Sequence, residues 1–386
     1  MVQASVGSSL FGTKGQISVN RGLAEFHARR PVLVTDGGET LLALPIEGLD
    51  AQRLSEFTRL CAPAVPRLIV TAQRALALGL EAMTPMALRL TAGHDVHEIL
   101  ALVAETEIEC SLEAAPANSA GAAAIQLGKL SQGLPAVLVA DVAAENTISL
   151  ESQFITVEAI AVAQFGDDAI RSLTIASEAS IPLNSGTRTR FVVFRDMMGG
   201  SSVAIIVGKP DFTSPVPVRL HSACLTGDVF GSRRCDCGDQ LKLALARLED
   251  MDGGIILYLA QEGRGLGLAN KMRTYQMQED GLDTVDANTT LGFDDDERDY
   301  GIAARMLQML NCARVVLLTN NPAKLDGLAK AGIEITGRMP IEAPINADNR
   351  RYMTAKVARA GHRLDHLMAS LADPTEPDRD VAPLVT

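Results

Sequence analysis

The chain has 386 residues, 47% of them apolar and 21% charged, with a formal net charge of −12 at pH 7. That length exceeds one ordinary hydrophobic core and predicts a globular protein of two domains. The acidic balance argues against a general nucleic-acid surface, and the absence of any apolar run of about 18 residues argues against a membrane-spanning helix.

Residues 1–20 are rich in Ser and Gly and are expected to be a flexible N-terminus, with no basic start and apolar stretch to mark export. From 21 to 172 the chain alternates strand-like and helical patterns. PVLVT (31–35) and AVLVADV (136–142) read as strands, and AQRLSEFTRLCA (51–62) reads as a helix, which together suggest an α/β domain. A polar, turn-rich stretch at 176–190 follows the expected boundary. The second domain is expected over 173–370. Its strands are FVVF (191–194), SVAIIVG (202–208), VPVRLH (216–221), GIILYLA (254–260) and VVLLT (315–319). Helices are expected at 237–251, 269–280 and 297–311. The residues 371–386, with three prolines among mixed charges, read as a disordered tail. The fold class is α/β with mixed α+β character.

Six cysteines are too few for a disulfide scaffold in a chain this long, and three fall within 14 residues as Cys224-x10-Cys235-x-Cys237. Clustered thiols without an export signal suggest metal binding in a reducing cytoplasm. Thiolates suit Zn²⁺, and three ligands leave one position open, as in a catalytic site that holds water. Two alternatives stand beside this reading: inert core cysteines, and a closed structural site completed by a distant ligand. His221 is either a fourth ligand or a pocket residue.

Basic residues gather near polar turns: Arg219, Arg233, Arg234, Arg264, Arg298 and Lys324. In an acidic protein this suggests a polyanionic ligand. Lys271 and Arg273 read as ordinary helix-surface charges. The turn Gly263-Arg264-Gly265-Leu266-Gly267 joins a strand to a helix, a geometry that aims backbone N–H groups at an anion. Its third glycine comes one residue too early for a dinucleotide fingerprint. LLTNNPAK (317–324) is a second strand-to-helix junction. Thr319 and Asn320 stand at the strand's end, while Asn321 and Pro322 read as a helix start. His94 and His97 form a lone H-x-x-H pair, which reads as a surface feature.

RLHSACLTGDVFGSRRCDCGDQL (219–241), QEGRGLGLANKMRTY (261–275), DTVDANTTLGF (283–293), DDERDY (295–300) and LLTNNPAK (317–324) resemble GTP cyclohydrolase II, in order and with family-like spacing over 175–368. The resemblance implies a GTP cyclohydrolase II-like fold in the C-terminal domain. It also implies hydrolysis of GTP to formate, pyrophosphate and a 2,5-diamino-6-ribosylamino-pyrimidinone 5′-phosphate, the opening step of riboflavin synthesis. Carried over by position, Cys224, Cys235 and Cys237 match the ligands of one zinc ion per subunit. Asp296 matches the proton acceptor, Arg298 the proposed nucleophile, and Tyr275 a residue that assists at the ring. GTP contacts would come from Arg219, Leu220, His221, Ser222 and Ala223, from Gln240, from Glu262, Gly263 and Arg264, and from Thr284, Thr319 and Lys324. The family also places Mg²⁺ on the triphosphate and forms homodimers, and a cytoplasmic location is expected. No nucleic-acid or membrane partner is implied.

Arginine keeps its proton in nearly all proteins, so Arg298 acts either as a nucleophile relieved by Asp296 or as a charge clamp. Two departures stand out. Ala223 occupies the Glu position of an H-S-E-C motif. RPVLVTDGGETLLALP (30–45) and LGKLSQGLPAVLVADV (127–142) faintly resemble 3,4-dihydroxy-2-butanone 4-phosphate synthase, but only Asp36 and Glu39 remain of that enzyme's acidic loop. A hard cation needs several oxygen ligands, so loss of the synthase activity is expected.

Overall fold

The computed structural model describes residues 12–91, 93–143, 149–359 and 361–364. The expected tail at 371–386 lies outside them. The chain divides into two compact units. The first runs to Arg171 and also contains Gly263–Leu282 and Asp286–Glu297. The second contains Ser172–Glu262, Asp283–Val285 and the chain from Arg298 onward.

In the first unit a helix begins at Lys14, inside the segment expected to be flexible. Thr13 explains it: its hydroxyl accepts from Gln16 N–H while the Gln16 side chain accepts from Thr13 N–H, a capping box that satisfies two end donors. The helix, Lys14–His27, then buries Val19, Leu23 and Phe26 at helical spacing. The sheet has seven strands, β1 (Val32–Asp36), β2 (Glu39–Pro45), β3 (Arg67–Val70), β4 (Met86–Arg89), β5 (Ala114–Pro116), β6 (Ala136–Asp141) and β7 (Thr156–Glu158), in the order β5-β4-β3-β6-β2-β1-β7. All pairs are antiparallel except β1 with β7. Near-continuous apolar strands such as β6 are buried on both faces, which is why they are legible as runs rather than alternations.

The helix Leu268–Glu279 belongs to this unit, with Asn270, Lys271, Thr274 and Met277 on its buried face. Lys271 is therefore not the solvated surface charge expected from sequence. Leu266, Met277, Leu291 and Phe293 share one apolar core with Leu42, Leu88 and Leu138. Each such side chain contributes roughly 1.5–3 kcal/mol by leaving water.

The second unit holds another seven-stranded sheet, in the order β14-β13-β11-β12-β10-β9-β8. Its strands are β8 (Thr174–Pro182), β9 (Arg188–Arg195), β10 (Ser201–Gly208), β11 (Val216–Ser222), β12 (Gly253–Leu259), β13 (Arg314–Leu318) and β14 (Glu334–Met339). β8, β9, β10 and β12 pair antiparallel, whereas β12, β11, β13 and β14 pair parallel. Half of the stretch expected as turns, 176–190, is thus β8. It is an edge strand exposed along its whole length, so it carries no apolar alternation to reveal it. A helix expected from residue 297 starts instead at Gly301, where Asp299 accepts from Gly301 N–H. Parallel strands end on one edge, and three chain segments leave it together: after Ser222 of β11, Leu259 of β12 and Leu318 of β13. Ligands of α/β sheets bind outside such carboxyl ends.

Among the described residues no helix is long and apolar enough to cross a membrane.

Candidate metal and nucleotide site

β11 delivers Cys224, a short π-helical turn Leu225–Val229 follows, and Cys237 opens the helix Cys237–Asp250 just after Cys235. The three sulfurs lie within 4.8 Å of one another, and they are the only such group of potential metal ligands among the described residues. His221 is not part of it. Zinc at about 2.3 Å from each of its ligand sulfurs sets tetrahedral neighbours about 3.8 Å apart. Cys224 Sγ and Cys235 Sγ stand 3.7 Å apart, so the donor set fits that ion. Hydrogen bonds among these thiols shift their ionisation. The hydrogen bond to Cys224 pushes the Cys235 thiol up to about 11. Cys237 is pushed well above its ordinary value by hydrogen bonds to Cys224 and Cys235 and by burial. A bound cation reverses that preference, because it favours the thiolates.

Two glycines make the cluster possible. A Cβ on Gly227 would come 2.9 Å from Cys235 Sγ and 3.1 Å from Cys224 Sγ, and one on Gly238 would fall 2.3 Å from the Gly227 carbonyl oxygen. Neither glycine was singled out by spacing arguments, because the demand comes from backbones meeting in space.

Asp228 is the other residue that sequence reasoning missed. Its carboxylate accepts from Tyr258 Oη at 2.9 Å and from Cys224 N–H at 3.0 Å, and faces His221 Nε2 at 3.0 Å. The His221 ring stacks on Tyr258, with centroids 5.5 Å apart. Burial lowers the His221 pKa, opposed by the Asp228 hydrogen bond. A neutral ring donating Nε2–H to Asp228 fits this environment, leaving Nδ1 buried and without a protein partner. Asp228→Ala removes one acceptor from three groups and is expected to lower unfolding free energy by about 3 kcal/mol or more. A denaturation midpoint equal to that of wild type would contradict this role.

Around the cysteines the side chains interlock. Arg219 is buried and donates to the Leu318 carbonyl at 3.0 Å and to Gln240 Oε1. Burial lowers its pKa to about 10, opposed mainly by Asp236. Gln240 Nε2 donates to Asp236 Oδ2 at 2.6 Å, and Lys356 Nζ donates to Asp236 Oδ1 at 2.6 Å. Lys324 is buried and donates to the Leu220 carbonyl at 2.7 Å. Ser222 Oγ is buried without a hydrogen-bond partner, while Ala223 N–H donates to the Leu259 carbonyl. Glu262 accepts from Leu225 N–H at 2.7 Å, which ties the end of β12 to the π-helical turn. Thr319 is buried and accepts from Asn321 N–H. Asn321 caps the helix Pro322–Lys330, as its reading as a helix start requires. Asn320 bonds both ways with the Ile341 backbone and is structural.

Thr284 opens the helix Thr284–Thr290, whose start is held by Asp283 accepting from Val285 N–H. Arg298 lies over the Tyr300 ring at 5.9 Å. Gly263, Arg264, Tyr275 and Asp296 belong to the first unit. There Gly263 and Arg264 both adopt left-handed backbone angles. The Arg264 guanidinium is engaged by the Asp295 side chain and carbonyl, rather than lying open in an anion-binding turn. Tyr275 lies beside Lys271, whose Nζ is 5.6 Å from the ring centre. The remaining histidine pair fits its bland reading: His94 Nδ1 accepts from Thr91 N–H, and His97 is exposed.

The family model described as GTP cyclohydrolase II matches residues 174–340. The chain is 38% identical over 380 residues to the GTP cyclohydrolase-2 of Xylella fastidiosa, covering 96% of this chain and 94% of that one. It is 39% identical over 364 residues to the GTP cyclohydrolase-2 of Azospirillum brasilense, covering 89% and 93%. It is also 40% identical over 255 residues to the riboflavin biosynthesis protein RibBA of Bacillus cereus, covering 63% and 64%. Likeness at this level over nearly the full length of two relatives, with the thiol cluster inside the matched region, means that the chain belongs to the GTP cyclohydrolase II family.

Proposed function

We propose that the protein hydrolyses GTP to formate, pyrophosphate and the diaminopyrimidine ribotide, the opening step of riboflavin synthesis. The observation that carries this reading is the grouping of Cys224, Cys235 and Cys237 at a spacing suited to zinc, at the carboxyl end of β11. One zinc ion per chain, when bound, supplies Lewis-acid activation of water for attack on the guanine imidazole ring. Mg²⁺ accompanies the triphosphate.

The chain's own residues orient and move protons. His221 Nδ1 and Ser222 Oγ, buried atoms without a hydrogen-bond partner, have capacity left for the nucleotide. Arg219, Gln240, Glu262, Gly263, Thr284, Thr319 and Lys324 provide further GTP contacts, and Arg264 joins them by exchanging its Asp295 partner for phosphate. Ala223 leaves the nucleotide a smaller, uncharged neighbour than the Glu of H-S-E-C. Asp296 accepts a proton and Tyr275 assists at the ring. Arg298 keeps its charge and clamps the α-phosphate, stabilising the charge that develops as pyrophosphate leaves. An Arg298–phosphate adduct isolated from a quenched reaction would assign it the covalent role instead. The active species is a homodimer in the cytoplasm, and light scattering should give twice the 40.9 kDa chain mass.

The test is one incubation of purified protein with GTP, Zn²⁺ and Mg²⁺, assaying formate, pyrophosphate and diaminopyrimidine together. All three are expected. Pyrophosphate without formate would exclude ring opening, and tight GTP binding without products would indicate a regulatory paralogue.

The N-terminal region has no synthase activity in this account. β1 and β2 meet at a two-residue turn, Gly37-Gly38, both at positive φ, so the turn itself offers no carboxylate. Asp36 accepts from Ser119 Oγ and Glu39 from Asn118 Nδ2, so both carboxylates are occupied within the fold. The full chain with Mg²⁺ and a phosphosugar should form no dihydroxybutanone phosphate. Its formation would contradict the assignment.

A further inference from the structure

The segment 263–297 carries Arg264, Tyr275 and Asp296, and all of it except Asp283–Val285 groups with the N-terminal part of the chain. Leu266, Met277, Leu291 and Phe293 enter that unit's main core. The polar contacts are as specific. Asn270 Nδ2 donates to the carbonyls of Gln132 and Gly133, both at 3.1 Å. Arg273 pairs with Glu47 at 2.6 Å. Arg74, which is 1% exposed, donates to the carbonyls of Ala101 and Leu102 and also to that of Thr290.

Lys129, on the helix Ser119–Leu130, reaches the turn that carries Asp296. Its Nζ lies 2.6 Å from Glu297 Oε1, with side chains only 15% and 20% exposed. The same Glu297 oxygen accepts from Asp294 N–H at 2.8 Å, and Glu297 N–H donates to the Arg264 carbonyl at 3.1 Å. Arg264 in turn holds Asp295. The turn 294–297 is therefore closed on itself and anchored from the N-terminal region by Lys129 and by Gln73, whose Nε2 donates to Asp294 Oδ1, and Asp296 sits inside it. Such a part-buried, charge-assisted contact is a means of fixing backbone geometry.

We infer that the N-terminal region is kept as a scaffold for the 263–297 segment, and that Lys129 is a positioning residue for the turn that carries Asp296. The N-terminal region then contributes to GTP turnover without a reaction of its own. This inference rests on the proposed GTP reaction for its kinetic readout only. Misplacing a reacting group by about 1 Å can cost on the order of 100-fold in rate.

The experiment uses the full chain with Lys129→Met, Lys129→Arg and Glu297→Gln. Lys129→Met is expected to lower kcat for formate release by about 10- to 100-fold, with a smaller change in KM. Lys129→Arg should restore most of the rate, and Glu297→Gln should reproduce the Met variant without a change in residue size. Zinc content should stay at one per chain in all three. Amide hydrogen exchange over 292–299 should accelerate in the Met and Gln variants and stay near wild type in the Arg variant. Wild-type kcat together with wild-type exchange in Lys129→Met overturns the inference. Should the wild-type protein itself release no formate, the GTP reading fails, and the exchange measurement alone decides: unchanged exchange over 292–299 overturns the positioning role.

Discussion

Cys235→Ser is expected to hold no stoichiometric zinc and to release no measurable formate from GTP. A hydroxyl at that position is a harder, far less acidic ligand than a thiolate, and two remaining thiols do not complete a zinc site. Pyrophosphate release should survive in part, because the metal is assigned to the ring and the triphosphate to Asp296, Arg298 and Mg²⁺. The measurement is metal content by atomic spectroscopy alongside separate formate and pyrophosphate assays. Equal loss of both products in a folded variant would contradict the division of labour. The neighbouring Gly227→Ala should behave similarly, since its methyl group would press on both Cys224 and Cys235 sulfurs.

Lys356→Met should be the most destabilising of the single substitutions considered. Lys356 and Asp236 form an ion pair at 2.6 Å with side chains 8% and 1% exposed. Removing the lysine leaves a carboxylate in a buried site, and breaking such pairs costs about 3–5 kcal/mol. Replacing both charges behaves differently, because no unpaired carboxylate remains, although Arg219 loses the support of the Asp236 charge. The double variant Lys356→Met with Asp236→Asn should therefore recover much of the loss. Urea denaturation of the wild type and the variants gives the three differences. A Lys356→Met protein within about 1 kcal/mol of wild type would show that the pair contributes little. Because Asp236 lies between Cys235 and Cys237 and also accepts from Gln240, the same variant should lower zinc affinity.

The cysteine cluster was legible in the sequence because its three members lie within one short stretch, and the strands β6, β11, β12 and β13 were legible as apolar runs. What escaped depends on pairing across long separations. Asp228 looks like an ordinary turn residue until β12 brings Tyr258 beside it. Lys356 is 120 residues from Asp236, on a helix, Arg350–Ala358, with little amphipathic signature. β8 escaped because an edge strand exposed along its whole length needs no apolar pattern. The helix Lys14–His27 was hidden in a Ser- and Gly-rich start, although Thr13 and Gln16 spell its capping box. Lys271 illustrates the opposite error: a charge placed on the surface by residue type is buried because Gly263–Leu282 packs into the first unit's core.

The central claim is that three thiols hold the zinc on which ring opening of GTP depends. The most direct test strips the purified protein with a chelator, returns zinc in steps, and records bound zinc and formate released from GTP at each step. Formate release is expected to rise in proportion to bound zinc and to reach its limit at one ion per chain. Full formate release from protein stripped of metal, or a limit reached without zinc binding at Cys224, Cys235 and Cys237, would contradict it.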